Sequence, residues 1–195
     1  MAGLRNCAGH DKTPSIASLR QVNLDVVAAH PDRPGPNPAQ DAELFYQRLP
    51  AGARLIGIDV GSKTLGLALS DVTRTIASGL TTLKRANFSL DVARLLGLIE
   101  EHQVGGLVVG LPANLDGLDG PRAQSTRAFV RNLSKHIALP ILLWDERFST
   151  AAAERVLIEA ATSRRRRAEV IDKVAATLIL QNALDRMNQR PRQTP

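Results

Sequence analysis

The sequence predicts an α/β domain built on a mixed five-stranded sheet with helices on both faces. Short apolar runs, such as residues 55–58 and 107–110, end at glycine or acidic residues, as buried strands do before a turn. Apolar residues at helical spacing lie between the later strands. The composition, 44% apolar and 23% charged, is ordinary for a globular protein. No apolar run approaches the ~18 residues needed to span a membrane, and the single cysteine leaves no intramolecular disulfide.

An antiparallel hairpin opens the predicted sheet. The apolar runs 55–58 and 65–69 flank the turn Gly61-Ser62-Lys63, and a third strand is expected around residues 79–83. Four apolar residues then recur at helical spacing behind a Ser89 cap, which predicts a helix. They are Val92, Leu95, Leu96 and Ile99.

The second half of the chain alternates strands and helices, which is typical of parallel pairing. The all-apolar strand 107–110 suits a sheet covered on both faces, and Pro121 suits the first turn of the helix that follows. Residues 140–144 predict another buried strand, and helices are expected over about 150–159 and 169–187. The resulting order, βββαβαβαα, gives a mixed sheet.

Composition divides the chain into three parts. Four prolines lie within eight residues before residue 39, in a stretch that cannot hold a helix or a central strand. We therefore expect residues 1–53 to form a flexible proline-rich arm, with transient helix at 16–29 and 40–47. Residues 54–188 form the folded domain, and residues 189–195 form a short basic tail. The polar N-terminus has no apolar core for a signal peptide, which favours a cytoplasmic protein.

The net charge of +6 arises from 25 basic and 19 acidic residues, and the basic excess lies after residue 53. A basic domain with a concentrated arginine run suits nucleic acid, although the same charge also serves solubility. The run Arg164-Arg165-Arg166-Arg167 has two interpretations, a solvated loop between helices or a clamp on the phosphate backbone. Its place beside a predicted acidic site favours the clamp. If the run does not bind phosphate, the remaining candidates are Lys63, Arg147 and the helix that carries Arg122, Arg127 and Arg131.

Acidic residues follow or interrupt apolar segments at three places that core packing does not explain. Asp59 ends the first strand, Asp145 and Glu146 end the last strand, and Asp172 opens an otherwise apolar helix. Strand ends meet at one edge of an α/β sheet, where such folds place their sites. Carboxylates gathered there repel one another unless a cation neutralises them, which favours Mg²⁺ or Mn²⁺. Each acid also has a purely structural interpretation. Asp59 can cap the turn before Gly61, and Asp172 can interact with a helix dipole. Asp145 and Glu146 can form surface ion pairs with Arg147.

Other chemistries fit the sequence less well. Ser62 stands where a phosphate-binding loop requires its second glycine, and a strand rather than a helix follows. No serine or cysteine has an evident base, and the histidines and Cys7 lack zinc-ligand spacing. The loop that contains Asn114 lacks the alternating ligands of a calcium site. It is interpreted either as a mobile turn or as an edge loop that contacts substrate.

Four motifs occur in an order that indicates a known family. They are Gly57-Ile58-Asp59-Val60-Gly61; Val109-Gly110-Leu111-Pro112 with Asn114 and Asp116-Gly117; Asp145-Glu146-Arg147-Phe148-Ser149-Thr150; and Val170-Ile171-Asp172 with Ala175-Ala176 and Ile179-Leu180-Gln181. This order resembles that of the bacterial YqgF family, also called RuvX or Holliday junction resolvase-like proteins, which are associated with maturation of the precursor of small-subunit ribosomal RNA. The match covers roughly residues 54–188 and leaves the arm outside it.

The resemblance implies an RNase H-like fold and metal-dependent phosphodiester hydrolysis. In the family's pattern, Asp59 matches the acid of the first strand and Asp172 matches the acid of the last helix. Glu146, with Asp145 beside it, matches the second acidic position. The first-strand acid, Glu146 and the helical acid would hold two Mg²⁺ or Mn²⁺ ions about 3.5–4 Å apart. One ion would activate water, and the other ion would stabilise the leaving 3′-oxygen. The residues that would hold the substrate are Lys63, Asn114, Arg147, Arg164, Arg165, Arg166 and Arg167.

The sequence leaves several alternatives open. Alternation along a strand allows only one of Asp145 and Glu146 to face the site. The substrate is precursor 16S ribosomal RNA, within a pre-ribosomal particle or free, or else branched DNA, and the protein is a monomer or a weak homodimer. A non-catalytic RNA-binding assembly factor is the main rival function. An ATP-dependent sugar kinase or Hsp70-like ATPase shares the first turn but needs two lobes, whereas residues 54–188 supply one.

Overall fold

The computed structural model describes residues 38–112, 120–145 and 164–189, with side chains from residue 42 and, in the last segment, from residue 172. These segments contain five strands and four helices. The strands form one sheet in the order β3-β2-β1-β4-β5. The pairs β1–β2 and β2–β3 are antiparallel, and the pairs β1–β4 and β4–β5 are parallel. The mixed five-stranded sheet is confirmed. In chain order the elements are α1 (Pro38–Gln47), β1 (Arg54–Val60), β2 (Thr64–Ser70), β3 (Ala77–Lys84), α2 (Phe88–Glu101), β4 (Val104–Leu111), α3 (Pro121–Leu133), β5 (Ile141–Asp145) and α4 (Arg164–Asn188).

Each face of the sheet has its own apolar core, because successive strand residues point to opposite faces. Ile56 and Ile58 of β1 belong to the cluster that α2 and α3 cover. Leu55 belongs to the cluster that α1 and α4 cover, on the opposite face. Helices on both faces, as the sequence predicts, are therefore confirmed.

Glycines allow α4 to approach the sheet closely. A Cβ added to Gly57 of β1 would lie 2.6 Å from the Leu180 Cβ and 2.8 Å from the Ala176 carbonyl oxygen. A Cβ on Gly66 of β2 would overlap the backbone carbonyl of Asp172. Gly66 is also the antiparallel partner of Asp59. The packing of α4 on these glycines therefore sets Asp172 beside the end of β1.

Helix α1 corrects part of the expected flexible arm. Phe45 is fully buried and Ala42 is 2% exposed, and both belong to the cluster on the α4 face. A Cβ on Gly106 of β4 would lie 2.9 Å from the Phe45 Cζ atom, so the aromatic ring rests on that glycine. Residues 38–47 thus form part of the folded unit, and residues 1–37 lie outside the described residues.

Two helix boundaries also differ from the sequence prediction. Helix α2 is capped by Asn87, whose side chain accepts a hydrogen bond from the Leu90 N–H, rather than by Ser89. Helix α4 begins at Arg164, so the arginine run forms its first turn instead of a loop between helices. The helix expected over 150–159 lies outside the described residues. Within the described part of the chain, no helix is both long and apolar enough to cross a membrane.

Candidate functional site

Two carboxylates from different elements meet where β1 ends. Gly57 faces α4, and Asp59 lies two residues further along the strand, so its side chain is on the same face. Gly66, the strand partner of Asp59, has no side chain and so leaves room for Asp172. Burial raises the pKa of Asp59 above its ordinary value, the negative charge of Asp172 raises it further, and Arg122 opposes both effects. Asp172 is also eight residues inside α4, too far from the helix start to serve its dipole.

The pair has the chemistry of a site for a hard divalent cation. Carboxylate oxygens are the ligands that Mg²⁺ prefers, and a cation between two carboxylates removes the repulsion that raises the Asp59 pKa. Among the residues with described side chains, no three His, Cys, Asp or Glu groups cluster as a complete metal site. Glu146, the third expected ligand, lies outside the described residues.

Asp145 points away from this pair. Trp144 of β5 belongs to the cluster on the α4 face, whereas Ile141 belongs to the cluster under α2 and α3. Because neighbours along a strand face opposite sides, Asp145 is on the same side as Ile141, opposite to Asp59. Its side chain is 4% exposed, so it is buried at the end of the strand. The structure therefore does not bring Asp145 together with the two paired acids.

A cleft of about 1260 Å³ opens beside the carboxylates, between the β1–β2 turn, the end of β3, and the first turns of α2 and α3. Asp172 forms part of its wall, and four cationic side chains line it from the other elements. Such a cleft is suited to a polyanion whose backbone passes a cation held by the acids. The cationic residues are Lys63, Lys84, Arg85 and Arg122.

The sequence analysis names some of these cations as substrate contacts. Lys63 lines the cleft, and its role as a substrate contact stays a prediction. Arg122 follows the proline that opens α3 and belongs to the helix that the sequence offers as an alternative source of phosphate contacts. Lys84 and Arg85, directly after a predicted strand, were not predicted. Lys84 and Arg85 lie at the end of a strand, near the turn that follows the first strand. That position is the signal that could have identified them as cleft residues. Asn114 and Arg147 lie outside the described residues, and for Arg164–Arg167 only the helical backbone is described.

The fold and the site together define a class of protein. A five-stranded sheet with an antiparallel β1–β2–β3 half and a parallel β1–β4–β5 half has the RNase H-like arrangement, with acids at the end of β1 and on the last helix. Proteins of this class that carry such acids are nucleases, hydrolases of phosphodiester bonds.

The family follows from comparison with known proteins. The family model described as "RuvX: Holliday junction resolvase" matches residues 53–186, and the chain belongs to this family. A Roseobacter denitrificans protein named "Putative pre-16S rRNA nuclease" is 56% identical over 150 residues, covering 76% of this chain and 92% of that protein. A Rhodobacter capsulatus protein of the same name is 57% identical over 143 residues, covering 73% and 90%. The Thermus thermophilus RuvC structure with a Holliday junction substrate aligns at a TM-score of 0.48 and 16% identity, over 70% of this chain and 97% of that one.

Proposed function

We propose that this protein is a divalent-metal-dependent endonuclease that cleaves the precursor of 16S ribosomal RNA in the cytoplasm. The observation that carries the proposal is the pairing of Asp59 with Asp172 beside a cation-lined cleft. A half-buried pair of like charges opposes the fold, because the negative charge of Asp172 disfavours the ionised state of Asp59. Its presence therefore supports a role in binding a cation.

The donor set fits Mg²⁺ or Mn²⁺, in one or two ions. Asp59 and Asp172 would hold the metal, and Glu146, the second acid that the family resemblance implies, would complete the set. When bound, such ions activate water and stabilise the leaving 3′-oxygen of a phosphodiester. Asp145 is on the opposite face of the sheet from Asp59, which favours Glu146 over Asp145 as the ligand.

The cations of the cleft bind and orient the substrate. Lys63 is in the turn directly after β1, and Arg122 is close enough to lower the pKa of Asp59. Both would contact phosphates on either side of the cleaved bond, because charge-assisted hydrogen bonds to phosphate fix the register of a strand without reading its bases. Asn114 and Arg147, which follow β4 and β5 in the sequence, are proposed as further contacts.

The choice of RNA over branched DNA depends on the relatives. Proteins more than 50% identical to this chain carry the name of a precursor 16S rRNA nuclease, whereas the description of the family model names Holliday junction resolution. The identity to the Roseobacter denitrificans relative covers 92% of its length, which favours a shared substrate. We propose a monomer or weak homodimer that acts on free or particle-bound precursor.

A cleavage assay tests the proposal. The full chain is incubated with Mn²⁺ or Mg²⁺ and a precursor 16S rRNA fragment, a four-way DNA junction or duplex DNA, alongside Asp59→Asn and Asp172→Asn. Asp185→Asn is the matched control, because Asp185 is an exposed acid further along the same helix, where it accepts a hydrogen bond from Gln181. We expect the site variants to lose at least about a hundredfold in rate, the loss typical of removing one transition-state contact.

The outcomes separate the rival functions. Metal-dependent cleavage of the RNA by the wild type and the control, but not by the site variants, is the expected result. Preferential cleavage of the junction would overturn the substrate, and RNA binding with equal background cleavage in all four proteins would indicate a non-catalytic assembly factor. Glu146→Gln should match Asp59→Asn, whereas Asp145→Asn should retain metal-dependent cleavage.

A further inference from the structure

We propose that Arg85 is a positioning residue that fixes the β1–β2 turn, and with it Lys63 and the end of β1, relative to the rest of the cleft. The inference rests on the proposed nuclease function and names how that site is held in shape. Arg85 directly follows β3, and its side chain is 26% exposed, so most of it is enclosed by protein.

The guanidinium of Arg85 contacts three other elements at once. Its Nη1 donates a hydrogen bond to the Gly61 carbonyl in the β1–β2 turn, at 2.9 Å. Its Nε lies 3.6 Å from the Asp91 Oδ2 in the first turns of α2. The planar group also lies over the Phe129 ring of α3, with its Cζ 5.6 Å from the ring centroid. A group that spans a turn and two helices is suited to fixing their relative positions.

Asp91 makes this arrangement rigid. Its side chain is 2% exposed, and its Oδ1 accepts a hydrogen bond from the Ala86 N–H at 3.1 Å. A buried carboxylate requires a nearby cation and hydrogen-bond donors, since an unpaired buried charge is strongly destabilising. Arg85 supplies that cation, so its guanidinium is held towards the interior.

The turn itself is short and is held from both sides. The Gly61 N–H donates to the Thr64 carbonyl at 3.0 Å, and the backbone N–H of Arg85 donates to the Lys63 carbonyl at 2.9 Å. The Arg85 side chain adds the bond to the Gly61 carbonyl, two residues after Asp59. These contacts fix the backbone on both sides of Ser62, so removal of the guanidinium would loosen the segment that carries Lys63.

The geometry requires arginine rather than any cation. A planar guanidinium presents several donors in fixed directions and stacks on an aromatic ring, whereas an ammonium is a compact point charge. Lysine at this position would keep the positive charge of the cleft but could not bridge the turn, Asp91 and Phe129 together. Arg85→Lys therefore separates a positioning role from a simple phosphate contact.

The experiment compares Arg85→Lys, Arg85→Gln and Lys84→Gln in the full chain, below the unfolding temperature of every variant. Lys84 is the matched residue, because it is adjacent in sequence and lines the same cleft. Two quantities are measured: kcat and KM on the precursor RNA fragment, and amide hydrogen exchange of residues 61–64. We expect both Arg85 variants to lose at least about tenfold in kcat with KM within about twofold, since small displacements of reacting groups are costly.

We further expect exchange in the turn to rise about tenfold in both Arg85 variants and to stay unchanged in Lys84→Gln, whose effect should be a higher KM. Wild-type kcat in Arg85→Lys together with a raised KM in Arg85→Gln would assign a phosphate contact and overturn the proposal. Unchanged turn exchange in both Arg85 variants would also overturn it. If the wild type cleaves no faster than Asp59→Asn, the proposed function fails, and the exchange measurement still decides whether Arg85 fixes the turn.

Discussion

The two faces of the sheet are covered in different ways. Helices α2 and α3 rest on large aliphatic side chains such as Ile56, Ile58 and Val109. Helix α4 instead lies against strand backbone at Gly57 and Gly66, where a Cβ would meet its main chain. Bulky strand residues keep a helix at a distance and build an apolar core. Glycines let a helix approach until its own acidic residue lies beside one on the strand. This difference places the paired acids on the α4 face, while the first turns of α2 and α3 line the cleft beside them.

Polar contacts hold the other half of α4. The Gln181 side chain accepts from the Ala77 N–H at 2.8 Å and donates to the Thr75 carbonyl at 3.0 Å. Asn188 donates to the Arg74 carbonyl at 2.9 Å. The loop between β2 and β3 and the start of β3 therefore fix the C-terminal half of α4. The α4 face thus combines close backbone packing with directional bonds, which suits a helix that must hold a carboxylate in place.

The largest expected effect concerns α1, which completes the core on the α4 face. Phe45→Ala should lower the free energy of unfolding by about 3–5 kcal/mol, because it removes a fully buried aromatic ring. Tyr46→Ala, one residue later and 40% exposed, is the matched control and should cost about 1 kcal/mol or less, including its contact with Arg74. Denaturant unfolding measures both. Equal, small decreases would mean that the helix is not part of the core.

A second change tests the close approach directly. Gly66→Ala should cost about 2–3 kcal/mol, because the added methyl overlaps the Asp172 backbone and pushes α4 from the sheet. The same variant should weaken Mn²⁺ binding, since the two acids would separate. Gly97→Ala in α2 has open space around the new Cβ and should stabilise by up to about 1 kcal/mol. A neutral Gly66→Ala would contradict the close packing of α4 on the sheet.

A third change asks whether α4 also supplies cations. Replacing Arg164–Arg167 with glutamines, in an Asp59→Asn background that silences cleavage, should weaken RNA binding about tenfold if the first turn of α4 contacts phosphates. The slope of log K against log salt should flatten by about 0.7 for each arginine–phosphate ion pair that the substitution removes. A salt titration of both proteins measures it. An unchanged slope would mean that the arginine run does not contact phosphates, and Lys63, Lys84 and Arg122 would remain as the candidate phosphate contacts.

The smallest expected effect concerns the loop that fixes α4. Asp71 accepts hydrogen bonds from the backbone N–H groups of Thr73, Thr75 and Ile76 and from the Thr73 hydroxyl, and these lower its pKa to about 2. A depressed folded-state pKa adds stability above about pH 3.8, and this stability is lost as the pH falls towards 2. At this exposed site the contribution should stay below about 1 kcal/mol. Unfolding of Asp71→Asn from pH 7 to pH 2 should lack this component, and an acid response equal to that of the wild type would contradict it.

The strands were predictable because their signal is local. Apolar runs that end in glycine or acid indicate the hairpin, the later strands and the position of Asp59 at the end of the first. The burial of α1 was not predictable, because it depends on the fit of Phe45 to Gly106, about sixty residues away. Lys84 and Arg85 were missed for the same reason, since only the packing of β3, α2 and α3 brings them to the cleft. The face of the sheet on which Asp145 lies was also not predictable, because it depends on which strand residues pack into each of the two cores.

The most direct test of the paired acids is thermal unfolding with and without Mn²⁺, for the wild type, Asp59→Asn and Asp185→Asn. A raised folded-state pKa means that ionised Asp59 disfavours folding, so metal-free stability falls as the pH rises past the ordinary pKa, and Asp59→Asn should be at least as stable as the wild type at neutral pH. Added Mn²⁺ should stabilise the wild type and Asp185→Asn by mass action, by about 2.7 kcal/mol at a hundredfold excess over Kd, and should leave Asp59→Asn unchanged. Equal Mn²⁺ stabilisation of Asp59→Asn, or none in the wild type, would contradict the claim that the paired acids form a metal site.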